Sequence, residues 1–263
     1  MSKYDFFAQK KITNISTYII SEMYKKLERI FFKNFSQTGN KIIEIGPGKG
    51  VFTEICHKRK GISYKGYEPN ALLYNNLRKK GYSISNKTVP PLEENSNTQD
   101  AVILLHVLEH MPSSAYAEEL INEIYRVLKP GGIIFLAFPS YLNWKHNFFN
   151  MDYTHSFITT ELNVSQLLAD YGLIKKSTYY YYGNFFSGFG RLLNISILIL
   201  QNILTLFLPR KIIGSEKFQK MGITFAENIL MVAEKPTEKY QEMAITFAEN
   251  IRMTKENKKL ENK

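Results

Sequence analysis

Apolar positions recur along this chain in two alternating patterns. Largely apolar runs at residues 41–45, 100–105 and 133–138 read as buried strands, the last apolar throughout. Between them apolar side chains fall at helical spacing: Leu72, Leu73 and Leu77 follow Pro69-Asn70, and a helix over residues 114–128 follows Ser113 or Ser114 as N-cap. A helix also follows Gly50, running to a stop at Gly61. Further strands are expected at 63–68, 82–84, 174–182 and 228–233, with a helix over 159–171. Strands alternating with helices at this spacing predict an α/β fold, a doubly wound, mostly parallel sheet. Such sheets bind ligands beyond the carboxyl ends of their strands, which puts Glu44, Glu68, His106 and Ser140 along one rim.

Three segments stand outside that alternation. Ile15, Tyr18, Ile19, Met23, Leu27, Ile30 and Phe31 mark an amphipathic helix before the first strand, so residues 1–38 are expected to form an N-terminal helical cap. Residues 192–208 are mostly apolar, short of the roughly twenty that span a bilayer, and carry Asn194, Gln201, Asn202 and Thr205 near one helical face. This helical insertion, within 183–219, is expected to cap the substrate site, to pack at a homodimer contact, or to lie on a membrane surface through 191–211. Residues 216–229 recur, slightly changed, as 238–251. The first copy leads into the last strand and the second decays into polar sequence, so 236–263 is expected to be a duplicated, mobile tail behind a domain of residues 39–235.

Charge modifies this picture little. The 263 residues carry a net charge of +10, but the basic residues are dispersed in pairs and triplets such as Lys58-Arg59-Lys60 and Arg78-Lys79-Lys80. Those two precede Gly61 and Gly81, where they suit helix C-termini. A solvated face is the expectation, with a basic patch for an anionic substrate or membrane as the alternative, and no nucleic-acid partner. The single Cys56 permits no intramolecular disulfide, and the N-terminus lacks a secretory pattern. A cytoplasmic location follows as an expectation, extended to the periphery of the inner membrane by the apolar insertion.

The chemistry gathers around Glu44-Ile45-Gly46-Pro47-Gly48-Lys49-Gly50, a strand that runs into a glycine-rich turn. Glycines at alternate positions allow a tight turn and close approach to a ligand, and a carboxylate at the end of an apolar strand needs hydrogen-bond donors. Four features occur in order: this loop, Glu68 ending the second strand, residues 100–111 with His106-Val107-Leu108-Glu109-His110, and Leu128-Lys129-Pro130-Gly131-Gly132. Together they resemble the class I S-adenosylmethionine (SAM)-dependent methyltransferases that act on small molecules. The resemblance implies a Rossmann-like seven-stranded sheet with an antiparallel last strand, and SAM as cofactor. It implies that Gly46, Pro47, Gly48 and Gly50 approach the cofactor's amino-acid end, with Glu44 behind them. Glu68, followed by Pro69, would accept from the ribose hydroxyls, and His106 would lie near the methionine moiety. Where relatives often carry an Asp after the third strand, this chain has Ser85-Asn86-Lys87-Thr88, which leaves the adenine contact to Asn86 or a backbone carbonyl.

Other readings compete. His106-Val107-Leu108-Glu109-His110 also fits a zinc-protease pattern, but it follows a buried strand directly and Pro112 comes two residues later, so no metal is expected. An NAD-dependent oxidoreductase would need its third glycine one position further on. A non-catalytic SAM-binding or membrane-attached accessory protein is the remaining alternative. Acceptor-side candidates lie after the 133–138 strand. Tyr141, Trp144, His146 and Tyr153 are expected to bind substrate, and Asp152-Tyr153-Thr154-His155 resembles the D-x-T-H segment of sugar and quinone-precursor methyltransferases. In that reading His155 is catalytic and Asp152 orients it or closes the loop, and the methyl goes to an oxygen of a small molecule, such as a saccharide or nucleotide-linked precursor of bacterial surface polysaccharide.

Overall fold

The computed structural model describes residues 14–35, 39–145, 147–150, 152–183, 185–186, 188–215 and 226–239, together with Asp5, Gln9 and Phe218. The duplicated tail beyond 239 and the candidate His146 lie outside the described residues.

Seven strands form one sheet: β1 (Lys41–Ile45), β2 (Ser63–Tyr67), β3 (Ile84–Ser85), β4 (Gln99–Leu105), β5 (Leu128–Pro139), β6 (Ile174–Tyr182) and β7 (Glu227–Glu234). Their spatial order is β3-β2-β1-β4-β5-β7-β6. β7 runs antiparallel to both neighbours, β5 and β6, while the pairings among β1 to β5 are parallel. This is the mostly parallel sheet with an antiparallel last strand that the apolar runs and the family resemblance led us to expect. The chain order reverses between β1 and β4, so the carboxyl ends of those two strands flank the crevice where such sheets bind ligands.

Every residue of β4 is buried because parallel strands covered on both faces see no water. β5 begins earlier than the sequence suggests. Leu128 already pairs with Gln99, and the Lys129-Pro130-Gly131-Gly132 turn is absorbed as a register shift inside the strand.

One face of the sheet is covered by α1 (Asn14–Phe35), whose Leu27, Phe31 and Phe35 are buried. The Phe31 ring meets Phe52 at 5.4 Å and Phe135 at 5.2 Å, both edge-on. Burying one such ring contributes about 2 kcal/mol. Through these rings α1 is a packing layer on the sheet. Asp5, upstream of it, does reach the rim, where its Oδ1 accepts from Asn70 Nδ2 at 2.9 Å. The other face is covered by α4 (Ser114–Val127) and α7 (Glu161–Asp170), through Leu120, Ile121, Ile124, Val164 and Leu168. Ser113 caps α4 with a side-chain bond to Tyr116 N, as the sequence suggests. The remaining helices are α2 (Val51–His57), α3 (Ala71–Lys79), α5 (Tyr141–Trp144), α6 (Asn147–Asn150), α8 (Gly188–Phe207) and α9 (Arg210–Ile213).

α8 is amphipathic in the reverse sense. Its polar Asn194 and Gln201, seven residues apart and so on one face, are buried and bond to Asn143 and to the Phe218 carbonyl. Its apolar Leu192, Ile199, Leu206 and Phe207 are exposed, the last two at 78%. It is the one described helix long and apolar enough to cross a membrane, by length and composition alone.

Candidate active site

The glycine loop between β1 and α2 is built by backbone geometry. Gly46, Gly48 and Gly50 all take positive φ, at 67°, 56° and 78°. Side chains are excluded sterically as well: a Cβ on Gly46 would lie 2.7 Å from Val107, and one on Gly50 would lie 2.3 Å from Leu77. Alternate glycines are required here because the chain turns in left-handed conformations between packed side chains.

Glu44 lies behind this loop and is 2% exposed. Its Oε2 accepts from Tyr64 Oη at 2.5 Å and from Thr53 Oγ1 at 2.8 Å. Burial raises its pKa to about 7, against the opposing effect of those two hydrogen bonds. Glu44 therefore knits β1 to β2 and α2 through side chains, and the loop N–H groups are held otherwise.

Glu68 holds the loop from the other side. Its Oε2 accepts from Gly48 N at 3.0 Å and its Oε1 from Asn70 N at 2.9 Å. Burial raises its pKa, and the two backbone donors oppose the rise. Each carboxylate oxygen has two lone pairs, so a carboxylate with one donor per oxygen can accept one more at each. Such a pair suits a vicinal diol. Asn70 caps α3, its Oδ1 accepting from Leu72 N and Leu73 N. Asn86 donates through Nδ2 to the carbonyls of Glu68 and Pro69, at 2.8 and 3.1 Å. That amide group thus fixes the turn that carries Glu68, and Pro69 takes part through its carbonyl.

Across the crevice, His106 follows β4 with φ of 59°, left-handed for a residue other than glycine. Its Nδ1 lies 3.2 Å from Glu109 Oε1 and its Nε2 lies 2.8 Å from Tyr181 Oη. A carboxylate only accepts, so Nδ1 carries hydrogen toward Glu109. Burial would raise the Glu109 pKa, yet the hydrogen bond and charge of His106, with His110, hold it below the ordinary value.

Next to Glu109 stands a cluster drawn from distant segments. His110 Nδ1 lies 2.8 Å from Thr154 Oγ1, and Thr154 donates to Asp152 Oδ1 at 2.6 Å. His155 Nδ1 lies 2.5 Å from the Phe148 carbonyl, and its ring is 4.8 Å from that of His110. Asp152 thus orients His110 through Thr154, and the carbonyl of Phe148 orients His155. The pairing expected from the D-x-T-H run is replaced because Thr154 turns back onto Asp152 within the loop. Ser156 N and Phe157 N both donate to the Glu109 carbonyl, which ties this loop to the turn after β4.

The structure places the other acceptor-side candidates unevenly. Tyr141 packs edge-on to Phe148, whose ring also meets His155 at 4.6 Å, so Tyr141 borders the cluster. Trp144 spends its N–H on the Glu227 carbonyl at 2.8 Å and anchors α5 to β7. Tyr153 is 82% exposed. The sequence marks Tyr179 to Tyr182 as either pocket-wall or core aromatics but not the contact of Tyr181, fully buried on β6, with His106, and it misses Thr154, the link between Asp152 and His110. The Thr154 link was within reach of the sequence, since an Asp-x-Thr run favours this local bond. A cleft of about 600 Å³ opens between β6 and α8, lined by Thr178, Tyr180, Tyr182, Phe186, Arg191 and Glu227 among others. No glycine-loop residue lines it.

Comparison with known proteins gives this geometry a context. A family profile described as a methyltransferase domain matches residues 16–175. No curated protein matches the sequence. Among solved structures, the [4+2]-cyclase SpnF is similar at 16% identity and TM-score 0.58, over 81% of this chain and 80% of that one. A SAM-dependent methyltransferase from Archaeoglobus fulgidus is similar at 18% identity and TM-score 0.57, over 82% and 94% of the two chains. A phosphoethanolamine N-methyltransferase of Haemonchus contortus, solved with phosphomonomethylethanolamine and S-adenosylhomocysteine, is similar at 16% identity and TM-score 0.58, over 90% and 61%. Identities this low establish a shared fold and leave each neighbour's chemistry with that neighbour.

Proposed function

We propose, from the premise that the chain belongs to the methyltransferase-domain family, that it transfers a methyl group from SAM to an oxygen of a small-molecule acceptor. The observation that carries the cofactor assignment is the Gly48–Glu68 hydrogen bond. It holds a carboxylate with acceptor capacity on both oxygens against a left-handed glycine turn at the sheet's switch point. A ribose diol fits Glu68, and the backbone of Gly46, Pro47, Gly48 and Gly50 fits the amino-acid end.

Bound SAM supplies a sulfonium methyl that is already strongly electrophilic. The protein's share of the work is alignment of the acceptor and exclusion of water. His106 is fixed between Glu109 and Tyr181 beside the crevice, where it borders the methionine end. His155 contacts the acceptor, with Nδ1 bound to the Phe148 carbonyl and its Nε2 lone pair available to the acceptor's hydroxyl. Asp152 acts on the neighbouring His110 as a positioning residue. The donor-rich, histidine-lined acceptor side favours a hydroxylic substrate such as a saccharide or a nucleotide-linked precursor of surface polysaccharide.

The reversed amphipathicity of α8 supports a second element of the proposal, peripheral attachment to the inner face of an anionic membrane. Exposed Leu192, Ile199, Leu206 and Phe207 would enter the lipid, while Arg191, Arg210 and Lys211 flank them with positive charge. A cytoplasmic enzyme docked in this way would meet lipid-linked or membrane-handled precursors.

Thermal unfolding with cofactors separates this reading from a nicotinamide enzyme. SAM and S-adenosylhomocysteine are expected to raise the melting temperature by several degrees, NAD to leave it unchanged, and Glu68→Ala to abolish the shift. Stabilisation by NAD and not by SAM would overturn the assignment.

A further inference from the structure

Glu109 Oε2 is buried with no hydrogen-bond partner among the described residues, although the residue is only 1% exposed. Its other oxygen already accepts from His106. A buried carboxylate oxygen left unmatched is costly, and its surroundings supply a reason for it. One ligand atom from each of Glu109, His110 and His155 lies within 4.8 Å of the other two.

We propose that Glu109, His110 and His155 bind one divalent transition-metal cation of the zinc type, on the acceptor side of the active site. Ligand atoms about 2.1 Å from a tetrahedral zinc stand about 3.4 Å from one another, so side-chain shifts of about an ångström close the set. Two imidazoles and one carboxylate form a mixed nitrogen–oxygen donor set that suits zinc, cobalt or manganese better than magnesium or calcium.

The surrounding hydrogen bonds fix both imidazoles in the form a metal requires. The Phe148 carbonyl only accepts, so His155 carries its hydrogen on Nδ1 and its lone pair on Nε2. Thr154 gives its hydroxyl hydrogen to Asp152, so its oxygen accepts from His110 Nδ1 and the His110 lone pair also falls on Nε2. Metal-binding histidines characteristically donate their second ring N–H to a carbonyl, or through a polar relay to a carboxylate, and both arrangements occur here. Ser156 N and Phe157 N, bonded to the Glu109 carbonyl, hold the two ligand-bearing segments together before any ion arrives.

The proposed site departs from the sequence expectation of no metal, and for a geometric reason. Residues Leu108–His110 form a single 3-10 turn, so His106 and His110 do not meet as they would on an α-helix. His106 goes instead to Tyr181, and the third ligand comes from 45 residues further along, His155, which no local spacing announces.

Three protein ligands leave a coordination position for an acceptor oxygen. This role rests on the methyltransferase reading, whereas binding of the ion does not. With the ion bound, His155 Nε2 is a ligand and its base role passes to the ion. A hydroxyl that binds there would release its proton to solvent as it enters, its oxygen would form the new carbon–oxygen bond, and the methyl–sulfur electron pair would stay on sulfur.

The test is titration of chelator-stripped, full-length protein without SAM. Cobalt(II) absorbance and competition for zinc against a chromophoric chelator are the readouts, with circular dichroism to confirm that each variant is folded. One equivalent is expected to bind. His155→Ala and His110→Ala should remove binding, and Thr154→Val, which leaves all three ligands in place, should weaken it about 10- to 100-fold. Absence of one-equivalent binding in the wild type, or binding indifferent to all three substitutions, would overturn the site. Metal bound as expected by a protein that transfers no methyl group would instead count against the methyltransferase reading and leave this site standing.

Discussion

Two glutamates flank the glycine loop and behave differently because their donors differ. Glu68 meets two backbone N–H groups, one on each oxygen, whereas Glu44 meets two hydroxyls in a dry pocket that lifts its pKa to about 7. A carboxyl whose pKa is higher folded than unfolded takes up a proton on folding, so its contribution favours the folded state at low pH. Against an ordinary value of 4.5, that contribution is complete below about pH 4.5 and lost as pH rises through 7, and it amounts to about 3 kcal/mol. Urea unfolding of the wild type and Glu44→Gln should show the wild type losing about that much relative to the variant between pH 4 and 8, where ~3 kcal/mol follows from the shift. A difference that stays flat, or that grows with pH, would refute the buried-acid description. At this scale the loop glycines were legible, since a positive φ between packed side chains admits little else. Tyr181 and the orphaned Glu109 oxygen were not, because the contact of Tyr181 with His106 spans 75 residues and an unmet lone pair leaves no trace in sequence.

Among the elements, the buried strands were the easiest to read and α8 the least. β4 and β7 are apolar because water reaches neither face, and continuous apolar runs report that directly. α8 shows the same amphipathic period whichever way it is turned. Only the bonds of Asn194 and Gln201 to the rest of the fold reveal that its polar face points inward. If the outward face meets anionic lipid, the protein should sediment with phosphatidylglycerol vesicles. Leu206→Glu combined with Phe207→Glu should weaken that at least tenfold, since each large apolar side chain contributes roughly 1.5–3 kcal/mol on burial. Failure of the wild type to bind vesicles, with dimers in analytical ultracentrifugation that the double variant splits, would assign the same face to a second copy.

For the whole molecule, the strand order brings the turns after β1, β2 and β4 to one end of the sheet. The glycine loop and Glu68 stand on one side, and His106 with the Glu109–His110–His155 cluster on the other. In the proposed reading the first group serves the cofactor and the second the acceptor; the methyltransferase assignment itself rests on the family match, because the fold alone also serves a [4+2]-cyclase among its structural neighbours. The glycine turn and the acid beside it could be read from order and spacing, and the structure joins them through the Gly48–Glu68 hydrogen bond. On the other side the sequence named His106, Asp152 and His155 but not how they pair, since Thr154, His110 and the Phe148 carbonyl join them only through the fold. The most direct test is incubation with methyl-labelled SAM and a small-molecule extract of the protein's own cells. The expected result is label on an oxygen of one product, with an equal amount of S-adenosylhomocysteine, and neither with Glu68→Ala. SAM binding by the wild type, with no label transferred beyond the Glu68→Ala background, would contradict it.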